Sequence, residues 1–567
     1  MKQIKKLVLI ATISAAAGGS LGDTFIIGSD KSDFALAESW AGGAAPGAGD
    51  FVSFAVDGFY GPFTLSKDVT YQRFTSGGWG RFDSINGNAA QQFDLCGHTM
   101  TLTGYRAGDG YLFDPCNSGP RNHFVFSNGK IAIGQSGNVT IGWPSYYNSQ
   151  VRLSGIELDG VATLNVGYGG SYNCELRIDG GSSVSPSRMI LSSAGVGANT
   201  AAPNRLIVDN ATLSVSDYFQ SGSGGVVELT DGAELSAPSF QSGLLAGSSK
   251  TFISNSTLVA SAAYETAKAE GSEDYVELSG ESAVLKAKQI LSGNHPLSSA
   301  TVLAYDGATV EGTDMFCVGN GGPATLIISN ANLKANALDV GASENAAGSV
   351  LRICGDDGLL EAGGMLTVGS KAKTGCRFEI SDRATGNIKR LFLFGANTIK
   401  VADATLNISH GDSYHTSLVV GTAGAVGGRL VLSGAAPKIN FTHSASHGGI
   451  KMLPGTKIVY ELPEAPYETA PLDTYWLNIQ PDAGMPEQPL AEIVLDLAGL
   501  PKSHDRLVYK LLHVQDVLGG VNAIHADAIA RVNNRPEIKA VKGRLEWKDT
   551  YLIFTVPGNR GMKMVVR

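Results

Sequence analysis

The chain is 567 residues long, with 72 glycines, 17% charged residues and a net charge of −9. This excludes nucleic acid as an expected partner, because phosphate binding needs clustered Lys and Arg and no basic run is present. It also argues against a helical bundle, where glycine costs up to about 1 kcal/mol per position, and against disorder, because the 43% apolar residues alternate with polar ones.

Met1–Gly22 reads as a secretory signal (domain 1–22). Lys2, Lys5 and Lys6 form a basic start, and the apolar run from Leu7 to Ala17 is too short to span a bilayer. Small residues at Ser20 and Gly22 place cleavage before Asp23. The mature chain is therefore expected to be secreted or at the cell surface. No later segment is long and apolar enough to be a transmembrane segment.

Residues 23–91 are expected to cap the open end of a repeat, with Trp40, Phe51, Phe54 and Phe63 in the cap core. From 92 to 462 the chain carries a degenerate repeat of about 25 residues. Its best copies are Leu206-Ile-Val-Asp-Asn-Ala-Thr-Leu213, Leu326-Ile-Ile-Ser-Asn-Ala-Asn-Leu333 and Ile399-Lys-Val-Ala-Asp-Ala-Thr-Leu406. Each is an alternating strand, an Asn/Asp turn and a second strand. The turns are anchored at Asp159, Asp179, Asp209, Asp231, Asn255, Gly280, Asp306, Asn330, Asp356, Asp382, Asp403 and Gly434.

A second element recurs between the anchors: Leu164-Asn-Val-Gly167, Phe316-Cys-Val-Gly319, Leu338-Asp-Val-Gly341, Leu366-Thr-Val-Gly369 and Leu418-Val-Val-Gly421. Residues two apart share a strand face, and the glycine permits a positive φ at the corner. A unit this small cannot bury its own apolar face and must stack on its neighbours. The pattern predicts an all-β, right-handed parallel β-helix with three short strands per coil, the handedness following the general preference of parallel crossovers. The alanine-rich stretch from Ser261 to Asp274 is expected as a loop or a single helical turn, and Ser192 to Asn204 as an insertion. Residues 463–567 alternate differently and predict a small β-rich capping unit, with a short helix near Val521 to Ala530.

The six cysteines include no C-x-x-C pair, so no structural zinc is expected. Cys96 with Cys116, and Cys354 with Cys376, lie about one coil apart. They are disulfide candidates in an exported chain, or else small buried residues of the stack. No metal site and no cofactor is expected.

The Leu-x-Val-Gly strands, the Asp/Asn-x-Ala-Thr-Leu turns and the opening Trp40-x-Gly-Gly segment resemble the passenger β-helices of bacterial autotransporters and autotransporter-associated β-strand repeat proteins, of the pectin-lyase-like β-helix type. The chain departs from them in lacking a run of amphipathic C-terminal strands long enough for an outer-membrane barrel. The resemblance implies a secreted or cell-surface solenoid with a structural, adhesive or passenger role. Many pectin-lyase-like proteins cleave polysaccharides with acids on neighbouring coils, and Asp314, Asp356, Asp357 and His410 are the catalytic candidates here. Against that, Asp356 is itself a turn anchor in an ordinary Gly-Asp-Asp-Gly turn. Trp143, Tyr146 and Tyr147, with Tyr168 and Tyr172 one coil on, form the densest aromatic patch and are the glycan-binding candidates. The expected partners are polysaccharide or other cell-surface components.

Overall fold

The computed structural model describes residues 24–26, 33–40, 43–53, 63–75, 91–104, 113–114, 123–134, 137–142, 148–192, 202–370, 374–409, 417–421, 427–442, 449–479, 491–502, 504–515 and 528–558. It is 60% strand and 4% helix, a parallel β-solenoid of about 13 coils with roughly 26 residues per turn.

One coil shows the plan. Ala324–Ser329 is a strand of what is here called the second sheet, and Asn330 turns the chain tightly. Asn332–Val340 then serves two sheets. Its first half pairs with Leu359–Ala362 in the third sheet, and its second half pairs with Leu366–Val368 in the first sheet. The register shifts between Ala335 and Leu338, which is where the strand bends round the corner. Gly341 ends the first-sheet strand, and a short 3-10 turn at Glu344–Ala346 leads to the next coil at Val350–Cys354.

Alternation within each straight segment sends every second side chain inward. Parallel pairing in register then stacks equivalent residues into columns. Val302, Leu326, Leu351, Phe378 and Ile399 form one such column in the second sheet. Ile290, Phe316, Leu338, Leu366 and Leu391 form another in the first sheet. All ten are no more than 1% exposed.

The turn between the second and third sheets adopts a left-handed conformation coil after coil. Asn128, Asn210, Asp231, Asn255, Asp306, Asn330, Asp382 and Asp403 have φ between 47° and 56°, and Gly280, Gly355 and Gly434 occupy the same place. Asn and Asp tolerate this region better than other non-glycine residues. The anchors read from the sequence are shifted at some coils. The left-handed residue is Gly180 rather than Asp179, Asn210 rather than Asp209, and Gly355 rather than Asp356. In the first and third pairs it is glycine, which has no Cβ to clash there.

The expected positive φ after Leu-x-Val is found at Gly167, Gly319, Gly341, Gly369 and Gly421. These glycines also leave room. A methyl group on Gly167 would fall 2.1 Å from Asn204 Nδ2, and one on Gly319 would fall 2.0 Å from Ser349 Oγ. The corner between the first and second sheets is thus filled by a polar side chain from the next coil.

The stretch from Ser261 to Asp274 differs from expectation, being strand at both ends. Thr257–Glu265 and Ser272–Ser279 are strands, and only 266–271 turn the corner. Tyr264 points inward and extends a ring stack with Phe240 and Phe219 at centroid spacings of 4.9 and 4.4 Å. That stacking secures the strand where the alanines by themselves favour helix.

At the N-terminal end, parallel pairing already joins Phe51–Ser53 to Arg73–Thr75 and Phe63–Thr64 to Phe93 and Asp94. Phe63, Phe93 and Phe126 stack at 4.9 Å between successive centroids. Trp40 is buried and donates its indole N–H to Phe34 O, while Phe51 is half-buried and Phe54 lies outside the described residues. At the other end, Leu507–Val514 joins the third sheet in parallel with Leu472–Thr474. It then pairs antiparallel with Tyr551–Val556, itself antiparallel to Arg544–Lys548. This reversal occupies the edge that a further coil would take. Residues 528–533 and Pro536–Ala540 are helical there, and most of the helix expected near Val521 to Ala530 lies outside the described residues.

Candidate functional site

The acidic candidates lie on two different edges of the solenoid. Asp356 and Asp357 are exposed in the turn between the second and third sheets. Asp356 pairs with Arg383 Nη2 at 2.6 Å, and the Asp357 N–H donates to Asn330 Oδ1 at 3.3 Å. They share a shallow groove with Glu281, Asp306, Asp382 and Asp403, Asn330 standing in place of an acid in the coil before them. Asp314 is exposed at the opposite end of the third-sheet segment, in a depression with Ser261, Lys286, Lys288 and Thr313. Crossing that segment and two coils separates Asp314 from Asp356 by roughly 20 Å, at about 3.3 Å per residue and 4.8 Å per coil. Paired carboxylates of glycoside hydrolysis stand about 5 to 9.5 Å apart. His410 lies outside the described residues.

Of the aromatic candidates, Trp143, Tyr146 and Tyr147 lie outside the described residues. Tyr168 and Tyr172 are half-buried in the corner after the first sheet. Their backbones hold the stack together there, with Tyr168 N–H donating to Gly142 O at 3.1 Å and Asn148 N–H to Tyr172 O at 3.2 Å.

The Cys354–Cys376 bridge does not form, and both thiols are free. Register explains this. Cys354 follows Ile353, which faces Ile380, whereas Cys376 precedes Arg377, which faces Val350. The two cysteines are therefore offset by about five residues along neighbouring strands, roughly 16 Å, far beyond disulfide reach. Cys96 is also free and exposed, and Cys116 lies outside the described residues. Cys174 and Cys376 instead share a structural role at the corner between the first and second sheets. Each is buried, and its backbone N–H donates to an asparagine of the next coil, Asn204 Oδ1 at 2.9 Å and Asn397 Oδ1 at 2.7 Å. Burial pushes both thiols up, and pushes Cys317 up to about 12.

Three features went unread in the sequence. The first is a polar strip along the outer face and edge of the first sheet. Gln220 Nε2 donates to Gln241 Oε1 (3.2 Å), and Gln241 Nε2 to Glu265 Oε2 (2.8 Å). Glu265 also accepts from Lys268 Nζ (2.7 Å) and Asn294 Nδ2 (3.1 Å), and Asn320 Nδ2 donates to Asn294 Oδ1 (2.6 Å). The second is Asp274, 4% exposed, whose carboxylate accepts from Ser242 Oγ, Ser249 Oγ and the Ala267 N–H at 2.5, 2.6 and 2.6 Å. Burial raises its pKa against the opposing pull of those three hydrogen bonds. The third is an aromatic area on the outer face of the second sheet, where the Tyr275 and Tyr305 hydroxyls both donate to Glu277. All three bring together residues from different coils, and no spacing within one coil signals them.

Among the described residues no three of His, Cys, Asp and Glu converge as metal ligands, and no helix is long and apolar enough to cross a membrane. Compared with protein-family models, curated proteins and solved structures, the chain matches none.

Proposed function

We propose that the chain is a non-enzymatic β-solenoid of the autotransporter-passenger or pectin-lyase-like type, secreted or displayed at the cell surface, with a structural or adhesive role. One observation carries this reading. Asp314 stands on a separate edge, roughly 20 Å from Asp356, so those two cannot flank one glycosidic bond. On the other edge Asp356 is held in its ion pair with Arg383 and the Asp357 backbone in its turn.

A second reading, glycan contact without catalysis, is favoured by the polar strip from Gln220 to Asn320. Its donors and acceptors recur at the coil spacing of about 4.8 Å, close to the length of one sugar unit in an extended polysaccharide.

The test is incubation of the purified mature chain with a panel of acidic and neutral polysaccharides. Reducing ends and unsaturated products are measured alongside retention on the immobilised polymers. The expected result is no turnover, with retention, where present, weakened by Gln241→Ala/Glu265→Ala. Sustained product release that Asp356→Asn/Asp357→Asn abolishes would overturn the non-enzymatic reading.

A further inference from the structure

The outer face of the second sheet changes character near the middle of the stack. The neighbouring strands Ser299–Tyr305 and Ala324–Ser329 contain no charged residue. Leu303 and Ile327 sit side by side in the same outward column and are partly exposed. One coil before them the column holds Glu277, and one coil after it holds Arg352. Three coils before Leu303 stands Glu228, and three after Ile327 stands Lys400. The full column reads Glu228, Phe252, Glu277, Leu303, Ile327, Arg352, Glu379 and Lys400, so its apolar centre is flanked by an acid on one side and a base on the other. Leu303 and Ile327 form a small, partly exposed apolar centre with charge on either side.

We propose that this face is a self-association surface on which a second copy of the chain docks antiparallel. A two-fold axis parallel to the strands, passing between Leu303 and Ile327, lays the column on its own reverse. Leu303 then meets Ile327 of the second copy, Glu277 meets Arg352, Phe252 meets Glu379, which is already paired with Arg377, and Glu228 meets Lys400. Such an isologous contact closes at two subunits. An axis along the stack through this column would instead set Glu277 against Glu277 and Arg352 against Arg352, which like-charge repulsion disfavours.

The inner pair sets the register, because the outer charges already have partners, Arg205 on Glu228 and Glu461 on Lys400. Among the described residues Arg352 has a long contact of 3.6 Å to Asp382, and Glu277 accepts from two neutral tyrosines. The face from Glu228 to Lys400 measures roughly 34 by 16 Å. That is below the about 800 Å² per partner of a standard interface, so the dimer is weak and concentration-dependent.

Sedimentation velocity of the full mature chain over a range of about 1 to 200 μM tests this, with circular dichroism and melting temperature as fold controls. The expected result is a monomer–dimer equilibrium that Ile327→Lys abolishes and Glu277→Arg weakens at least tenfold. The double variant Glu277→Arg/Arg352→Glu regains the dimer, and an equimolar mixture of the two single variants associates more tightly than either alone. A wild-type chain that stays monomeric throughout overturns the proposal, including one retained through this face only on a polysaccharide. So does a dimer indifferent to Ile327→Lys, or a Glu277→Arg defect that the swap leaves unrepaired.

Discussion

The two corners that flank the second sheet solve the same problem by opposite means. Between the second and third sheets the chain reverses within a few residues, and the backbone does the work. Asn, Asp or Gly takes the left-handed conformation, and Asn255, Asn330 and Asp403 lean over Gly280, Gly355 and Gly434 of the following coil. Between the first and second sheets the connections vary in length, and buried side chains do the work. Asn204 and Asn397 cap backbone N–H groups of the preceding coil, Asp274 gathers Ser242, Ser249 and Ala267, and Ser349 closes onto Ala346 O. A short turn can satisfy its polar groups in water, but a buried corner must satisfy them internally.

The sharpest way to break this contrast is Asn204→Leu. It removes the acceptor for Cys174 N–H and the donor to Ser171 O and Ser192 Oγ in a site 6% exposed. A loss of about 3 kcal/mol is expected, since each orphaned buried group costs about 1 to 3 kcal/mol. Chemical denaturation measures it, and a loss below about 1 kcal/mol would mean that the corner side chains are passengers.

Gly355→Ala probes the backbone corner. It forces φ of 88° on a residue with a side chain and sets a methyl group 2.2 Å from Asn330 Oδ1. The expected cost is about 2 kcal/mol, because the left-handed region costs about 1 to 2 kcal/mol and the mobile amide can yield. Should Gly355→Ala cost more than Asn204→Leu, the ranking of the two corners is reversed.

Asp274→Asn sharpens the buried side through pH. Burial raises the folded-state pKa of Asp274 above its ordinary value of 3.8. The folded chain therefore binds its proton more tightly than the unfolded chain, and the associated stability is full below the unfolded pKa and lost as pH rises through the folded one. Melting curves of wild type and Asp274→Asn should accordingly converge toward pH 4 and separate above it, with the variant the more stable. A separation that instead grows toward low pH contradicts the assignment.

The smallest effect belongs to Asp356→Asn. Its ion pair with Arg383 joins side chains that are 55% and 77% exposed, and such pairs contribute about 0 to 1 kcal/mol. A melting temperature within a degree or two of wild type is expected, and a large drop would give the turn acids a structural weight that the geometry denies them.

The repeat was legible because it is local. Leu338-Asp-Val-Gly341 states its own face and corner, and Asn330-Ala-Asn-Leu333 states its own turn. The candidate chemistry was not legible in the same way. Asp314 and Asp356 looked comparable along the chain, yet they fall on different edges because a third-sheet segment lies between them. Cys354 and Cys376 looked one coil apart, but coil length is not register, and a five-residue offset separates them.

Sequence alone determined that this chain stacks strands into a solenoid, because alternation, turn residues and the glycine at each corner act within a single coil. Only the tertiary structure decided which side chains meet. Contacts such as Gln241 with Glu265, Asn204 with Cys174, or Leu303 with Ile327 join residues of different coils. Their pairing depends on the register between coils, which the varying length of the first-to-second corner sets and which no single repeat contains.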